Sequence, residues 1–220
     1  IGKLLPNLTS AGLQSLLYQL EKKQLLMSHS QTAQIVYGLT QHGSKLIEAE
    51  FPALSADRDE WAGSWSMIVC MQAPQSDHNF RYLREYLLAR RCLSLTRGVF
   101  LYPADQLPAQ IQSTVETLYP HAVAVFSQLQ WAWGDERKII GQKMQLLTIQ
   151  DLLSGISKEI DKLLIEKTQS INTKDQSKQQ ILSLFDRYYS LLQQDFGLGR
   201  HYFSQEHSAR SVLAQLQLLG

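Results

Sequence analysis

The sequence predicts an α+β protein with an N-terminal winged helix-turn-helix domain, a central ferredoxin-like α/β sandwich and a helical C-terminal domain. A predicted helix, hairpin and second helix succeed one another within residues 8–46. Strands then alternate with amphipathic helices, and from residue 148 onward the large apolar residues recur at helical spacing. The predicted domains are residues 1–50, 61–147 and 148–220, and residues 51–60 form a connector.

The first predicted helix follows Thr9 and Ser10, whose hydroxyl oxygens can accept hydrogen bonds from the free backbone N–H groups of a helix start. Its apolar residues recur at positions i, i+3, i+4 and i+7, so they share one helix face. They are Leu13, Leu16, Leu17 and Leu20. The opposite face is polar, as expected of a helix that packs on one side only.

A β-hairpin is predicted after this helix. Residues 26–27 indicate a short strand, residues 28–33 a polar loop, and residues 34–39 a second strand rich in β-branched and aromatic side chains. Thr40 is a candidate cap for the next helix. Helix, hairpin and helix in this order is the plan of a winged helix, in which the first helix would read DNA and the hairpin would be the wing. The alternative is a small α/β scaffold that contacts no nucleic acid.

Composition places the chain among globular proteins, since it is 44% hydrophobic and 19% charged. The formal net charge is +1, so contact with nucleic acid would depend on a local basic patch. The sequence has no signal peptide and no apolar run of membrane-spanning length, so we expect a cytoplasmic protein with no membrane partner. Cys70 and Cys92 lie in apolar surroundings, which favours buried thiols, although a disulfide between them stays open.

The central region alternates strands and helices. Residues 65–71 form an apolar strand, and the later elements are a helix ending near Arg90, a strand at 98–102, a helix at 107–118 and a strand at 121–131. This succession indicates a sandwich of the ferredoxin-like kind. A fourth strand is not evident from the pattern, and residues 138–140 are the weak candidate.

The C-terminal region is predicted to be helical. Apolar residues recur at helical spacing over residues 148–167 and again over 181–192. Residues 168–177 between them are polar and are predicted to form a mobile loop. Residues 196–199 break the second helix, and Ser204 is a candidate cap for the last one.

Three separated segments carry a resemblance to a known family. They are Ile1-Gly2-Lys3-Leu4-Leu5, Trp61-Ala62-Gly63-Ser64-Trp65 and Gly98-Val99-Phe100-Leu101-Tyr102-Pro103, with a fainter likeness over residues 195–209. On these the chain resembles the PaaX-type transcriptional repressors, the regulators of the phenylacetic acid catabolon. The resemblance implies a homodimer that binds a double-stranded DNA operator and responds to an aryl acyl-CoA effector. Because a helix precedes the reading helix in such proteins, we also expect natural residues before Ile1.

The chain departs from the family at several positions. Gln14 and Gln19 stand where the family has arginines on the reading helix, and the predicted wing loop has no Lys or Arg. Ala62 replaces an aspartate in the turn before the central domain. In the C-terminal segment, Phe196, Gly199 and Glu206 replace prolines and a tryptophan of the family.

The polar face of the first helix supplies the candidate DNA contacts. Lys and Arg contact phosphates and supply most non-specific affinity, while Gln can pair with adenine in the major groove. The candidates are Ser10, Gln14, Ser15, Tyr18, Gln19, Lys22 and Lys23. Because residues 1–50 contain few basic side chains, an alternative stays open, namely a protein–protein interaction module with a winged-helix fold that has lost operator binding.

The acyl-CoA effector would need cations for its phosphates and an apolar slot for its acyl group. The candidate cations are Arg90, Arg91, Arg97, Arg200 and Arg210. Surface solvation or an ion pair is the alternative role for each of them. Trp131 and Trp133 are candidates for lining the pocket, with a core or interface position as the alternative.

No pattern in the sequence points to catalysis. The first strand of the central region has no carboxylate at its end before Asp77, where a metal-dependent nuclease of that fold would need one. The histidines lack the spacing of a zinc site, and neither a Gly-x-Ser-x-Gly elbow nor a phosphate-binding glycine loop is present. We therefore expect no enzyme activity, no catalytic residue, no metal and no cofactor.

Overall fold

The computed structural model describes residues 9–31, 34–59, 61–72, 78–168, 174–203 and 207–219. Within these ranges the fold is α+β, as predicted. The chain divides into two compact units. The terminal unit comprises the described residues up to Ser55, residues 149–197 and the described residues from 207 onward, and the central unit comprises the described residues of 56–148 and 198–203. Compactness is not a test of independent folding, so the predicted boundaries at residues 50, 60 and 147 stay predictions.

Helix α1 (Ser10–Lys22) opens the terminal unit as predicted. The Thr9 hydroxyl accepts a hydrogen bond from the Gly12 backbone N–H at 3.1 Å, which satisfies one free donor of the first turn. Leu17 is 8% exposed and anchors the apolar face. The helix ends where Gln24 adopts a left-handed backbone conformation, with φ at 58°.

Strands β1 (Leu26–Gln31) and β2 (Gln34–Leu39) form an antiparallel hairpin. The second strand is confirmed, but the predicted polar loop at 28–33 is wrong for residues 28–31, which belong to β1. The side chains of residues 28–31 are polar, so their pattern does not indicate a strand. These residues are extended because β1 pairs with β2, with Ser28 opposite Tyr37 and His29 opposite Val36. Residues 32–33 lie outside the described residues.

Helix α2 (Gln41–Glu50) is capped by Thr40, as predicted. The Thr40 hydroxyl accepts from the Gly43 backbone N–H at 2.9 Å and donates to the Gln24 carbonyl at 2.5 Å. One side chain therefore caps α2 and ties it to the turn that follows α1. The approach is close, because a Cβ built on Gly43 would lie 2.2 Å from the carbonyl oxygen of Leu25.

Three long helices build the core of the terminal unit: α7 (Leu146–Thr168), α8 (Lys174–Leu192) and α10 (Ala209–Leu218). Their buried side chains include Ile156, Ile160, Leu184, Leu191, Val212 and Leu216, and Ala53 from the 3-10 turn Pro52–Leu54 joins the same cluster. Polar groups inside this core are paired. The Tyr188 hydroxyl donates to the Ala209 carbonyl at 2.7 Å, and the Ser157 hydroxyl donates to the Gln215 side chain at 2.8 Å.

One prediction for this region is wrong at its ends, and another falls on a residue outside the described ones. The loop predicted at 168–177 is wrong at both ends, since α7 includes Thr168 and α8 begins at Lys174. Residues 169–173 lie outside the described residues. Residues 174–177 contain no apolar side chain, so hydrophobic periodicity could not mark them as helical. The cap predicted at Ser204 lies outside the described residues, and α10 is capped by Ser208, which forms a reciprocal capping box with Ser211.

The central unit contains a four-stranded antiparallel sheet in the order β4-β5-β3-β6. Its elements include the short helix α3 (Ala56–Asp59), followed by β3 (Trp65–Cys70), α4 (His78–Ala89), β4 (Leu93–Thr96), β5 (Val99–Tyr102), α5 (Ala109–Leu118) and β6 (Val123–Leu129). The two helices pack on the sheet through a buried cluster that includes Ile68, Leu83, Leu87, Phe100 and Ile111. The three predicted strands and two predicted helices are all present.

The fourth strand is β4, so the prediction that residues 138–140 form a strand is wrong. These residues lie in helix α6 (Glu136–Lys143), where the Asp135 carboxylate accepts from the Lys138 backbone N–H at 2.9 Å. The sequence did carry a signal for β4, because Leu93 and Leu95 alternate with polar residues. The strand is only four residues long, and it follows Arg91, whose positive φ of 63° turns the chain out of the α4 end.

A late segment of the chain returns to the central unit. Residues 198–203 contain the short helix α9 (Gly199–Tyr202), and the Tyr202 hydroxyl donates to the Glu136 carboxylate at 2.6 Å. The same carboxylate oxygen accepts from the indole N–H of Trp65 at 2.9 Å. The rings of Trp61 and His201 also meet, with centroids 4.6 Å apart. Residues more than sixty positions apart in sequence thus meet at one carboxylate.

Asp195 is a buried carboxylate in the terminal unit, only 5% exposed. Burial raises its pKa above the ordinary range for aspartate, and a hydrogen bond from the Gly197 backbone N–H at 2.8 Å opposes that rise. Burial, followed by the nearby Asp195 charge, also raises the pKa of Tyr188. The ionised Asp195 is therefore an unfavourable charge inside an apolar helical core.

Replacing Gly43 tests the joint between α2 and the turn after α1. Gly43→Ala should lower the free energy of unfolding by about 1–3 kcal/mol, because the added methyl group meets a backbone carbonyl that cannot rotate away. Gly155→Ala in α7 is the matched control, since no described atom lies within 4 Å of its Cβ. The control should raise stability by about 0.5–1 kcal/mol through helix propensity. Urea unfolding followed by circular dichroism measures both, and equal effects would contradict the close approach.

Replacing Asp195 tests its burial. Asp195→Asn should raise the free energy of unfolding at pH 7, because the amide keeps an oxygen for the Gly197 N–H and carries no charge. With a raised folded-state pKa, the folded protein holds this proton more tightly than the unfolded chain, so stability falls as pH rises through the folded pKa. The advantage of the variant should therefore disappear below the unfolded pKa of about 4. Urea unfolding at both pH values measures it, and a difference independent of pH would contradict the prediction.

Candidate nucleic-acid interface

The polar side chains of α1 form two exposed rows. Residues four apart in a helix lie one above the other on the same face, so Ser10, Gln14, Tyr18 and Lys22 make one row, and Ser15 and Gln19 make a second beside it. Lys23 follows directly after the helix. All seven predicted contact residues have exposed side chains, and Tyr18 is 66% exposed.

The opposite side of α1 is held by apolar contacts. Leu17 is buried and Leu13 and Leu20 are half-buried, which fixes the rotation of the helix about its axis. The backbone N–H of Leu25 donates to the Leu20 carbonyl at 2.9 Å, so the hairpin begins directly from the last turn of the helix. The polar rows therefore face solvent beside a two-stranded hairpin.

The charge of this surface is modest. Its basic side chains on α1 are Lys22 and Lys23, and Glu21 lies between Leu20 and Lys22 on the same helix. The described hairpin strands contain no Lys or Arg and expose large apolar side chains instead. These are Met27, Ile35, Val36 and Leu39, which are 40–67% exposed. The surface offers hydrogen-bond donors and acceptors with few phosphate-binding cations.

The five arginines predicted to bind an effector are divided between the two units. Arg210 belongs to the terminal unit, and the other four belong to the central unit. The Arg90 guanidinium lies 3.8 Å from the centroid of the Tyr86 ring, which makes a cation–π contact. Arg97 lies 5.5 Å from the centroid of the Phe80 ring and lines a cavity of about 700 Å³ that the other four arginines do not border.

Sequence reasoning missed three of the cations around that cavity: Arg81, Arg84 and Lys143. A signal existed for two of them, since Arg81 and Arg84 are three residues apart on a predicted amphipathic helix and so share a face. Lys143 comes from the end of α6, of which residues 138–140 had been the candidate strand, so its position could not be inferred. Of the two candidate tryptophans, Trp131 is half-buried, whereas Trp133 is 92% exposed and is not a core residue.

Both cysteines are free thiols, which excludes the disulfide left open by the sequence. Burial raises the pKa of Cys70 and raises that of Cys92 to about 12. Among the described residues, no three His, Cys, Asp or Glu side chains stand close enough to hold a metal ion. No helix in the described part of the chain combines the length and the apolar character needed to cross a membrane.

Comparisons with known proteins identify no family. No family model matches the chain, and no curated protein matches it. Among solved structures the chain is similar to an uncharacterized protein, Rv0674, from Mycobacterium tuberculosis. The match has a TM-score of 0.41 and 17% sequence identity, and it covers 96% of this chain and 85% of that chain. A likeness at this level bears on neither fold nor function, so the PaaX-type resemblance stays a resemblance.

Proposed function

We propose that this protein is a DNA-binding transcriptional regulator of the PaaX-like type, which binds a double-stranded operator as a homodimer. The observation that carries the proposal is the pair of exposed polar rows on α1, backed by Leu17 and followed at once by a hairpin. The order α1, hairpin, α2 supports a winged helix. The order β-α-β-β-α-β with four antiparallel strands supports a ferredoxin-like central domain.

In this proposal α1 lies in the major groove, which admits one α-helix. Gln14 and Gln19 lie in adjacent rows, so their amides can reach neighbouring base edges, where Gln pairs with adenine N6 and N7. Tyr18, Ser10 and Ser15 donate hydroxyl hydrogen bonds to phosphates, and the two lysines at the helix end supply the ionic contacts. Sequence readout thus comes from the glutamines, and position comes from the hydroxyl groups and lysines.

Two lysines per protomer give a weak half-site, which is why the proposal includes a homodimer. When two half-sites are joined in one dimer, the second binds at a high effective concentration, and overall affinity exceeds that of either alone. An acyl-CoA-like effector would regulate binding if it prefers one spacing of the two reading helices, which amounts to a coupling free energy between two sites.

The alternative is a protein–protein interaction module that keeps the winged-helix plan without binding an operator. One observation favours it specifically. The hairpin exposes Met27, Ile35, Val36 and Leu39 and carries no cation on its described strands, as expected of a surface that meets another protein. Binding to DNA and its salt dependence distinguish the two functions.

The double substitution Gln14→Ala with Gln19→Ala tests base reading. Fluorescence anisotropy with a labelled duplex from the promoter of the protein's own gene should show weaker binding by about 1–3 kcal/mol for each glutamine that pairs with a base. Affinity for an unrelated duplex should change little, because the phosphate contacts remain. Gln180→Ala with Gln217→Ala, at exposed positions of α8 and α10, is the matched control and should bind like the parent protein.

The salt dependence of the same titrations tests the phosphate contacts. Replacing Lys22 and Lys23 by Ala removes four lysines from a bound homodimer, so it should reduce the slope of log affinity against log salt by about 3.6, since each phosphate contact contributes roughly 0.9. Lys158→Ala with Lys178→Ala, at exposed positions of α7 and α8, should leave the slope unchanged. A parent protein that binds neither duplex at low salt would instead support the interaction module.

A further inference from the structure

A cavity in the central unit is lined by basic side chains from separate elements. Helix α4 contributes Arg81 and Arg84, the turn after β4 contributes Arg97, and the end of α6 contributes Lys143. The remaining lining comes from Ser94, Leu95, Thr96, Gly98, Phe80 and Phe100. The volume of about 700 Å³ lies within the roughly 300–1,000 Å³ typical of small-molecule pockets.

The charge of this cavity is unusual for the chain. Its lining carries four formal positive charges and no Asp or Glu, although the whole chain has a net charge of only +1. Arg81 and Arg84 are like charges three residues apart on one helix, an arrangement that disfavours the helix slightly. No carboxylate of the described residues lies within 4 Å of the Arg81, Arg84 or Lys143 nitrogens. An anion bound in the cavity would remove this repulsion.

We propose that this cavity is a binding site for a small ligand that carries a diphosphate group, such as a nucleoside diphosphate. Guanidinium groups bind phosphate oxygens through paired N–H donors, and a lysine adds a point charge. The cations come from three separate elements, so a single carboxylate or phosphate has too few oxygen atoms to contact most of them, whereas two linked phosphates can contact several at once. The Ser94 and Thr96 side chains add hydroxyl groups to the same lining.

The burial of the two aromatic rings in the lining favours a small molecule over a nucleic-acid strand. Proteins that bind single strands stack bases on accessible aromatic rings. Here the two lining rings are buried, since Phe80 is 8% exposed and Phe100 is fully buried, so they form a floor and not a stacking platform. The Arg97 guanidinium carbon lies 5.5 Å from the centroid of the Phe80 ring, a cation–π contact between two residues of the same lining. This inference depends on the cavity alone and holds whether or not α1 reads DNA.

Isothermal titration calorimetry of the full chain tests the site with four probes at low salt. Inorganic diphosphate and adenosine diphosphate should bind, inorganic phosphate should bind at least tenfold more weakly, and adenosine should not bind. Arg81→Gln with Arg84→Gln should weaken diphosphate binding by roughly tenfold or more for each arginine. Lys158→Gln with Lys178→Gln, the same change of charge outside the cavity, should leave binding unchanged. The relative affinities of the two diphosphate probes show whether a nucleoside adds contacts.

Two further measurements distinguish loss of diphosphate binding from loss of folding and from loss of DNA binding. The Arg81 and Arg84 variant should unfold at the same temperature as the parent or higher, because the substitutions remove repulsion on an exposed helix face. Its DNA binding through α1 should be unchanged, which separates failure of this inference from failure of the proposed regulator. The inference is overturned if neither diphosphate probe binds the parent protein, if both variants lose binding equally, or if a single-stranded oligonucleotide binds this cavity more tightly than adenosine diphosphate does.

Discussion

The carboxylate of Glu136 is the contact on which the central unit depends most. One of its oxygens accepts hydrogen bonds from the Trp65 indole at 2.9 Å and from the Tyr202 hydroxyl at 2.6 Å. Trp65 is 1% exposed and begins the central strand β3, so the start of the sheet is fixed by this pairing. Burial, and then the bond to Glu136, raise the pKa of Tyr202, which keeps the phenol protonated as a donor. Loss of the carboxylate would leave two buried donors without an acceptor.

The parts of the fold that depend on local pattern could be predicted from the sequence. The caps Thr9 and Thr40 and the helical spacing in α1, α7 and α8 each arise from residues within a few positions of one another. The parts that could not be predicted depend on distant partners. Strand β1 looks polar until it pairs with β2, and the return of residues 198–203 to the central unit leaves no periodic trace.

The two candidate sites also differ in how far local sequence pattern predicts them. The exposed rows of α1 follow from helical periodicity alone, because a leucine face predicts a polar face opposite to it. The basic cavity gathers cations from α4, the β4–β5 turn and α6, and only the Arg81 and Arg84 spacing could be read locally. Charge also differs between them, since the cavity concentrates cations whereas the α1 surface presents few. The two sites are therefore suited to different ligands.

The discontinuous make-up of both units has a consequence for synthesis on the ribosome. Ala53, close to the beginning of the chain, packs in the same cluster as Leu216 and Leu219, and Trp65 shares a hydrogen-bond acceptor with Tyr202. Neither cluster can be completed until its last members, Leu219 and Tyr202, have left the exit tunnel. Early segments must wait with apolar surface uncovered, which is the condition in which nascent chains engage chaperones or aggregate.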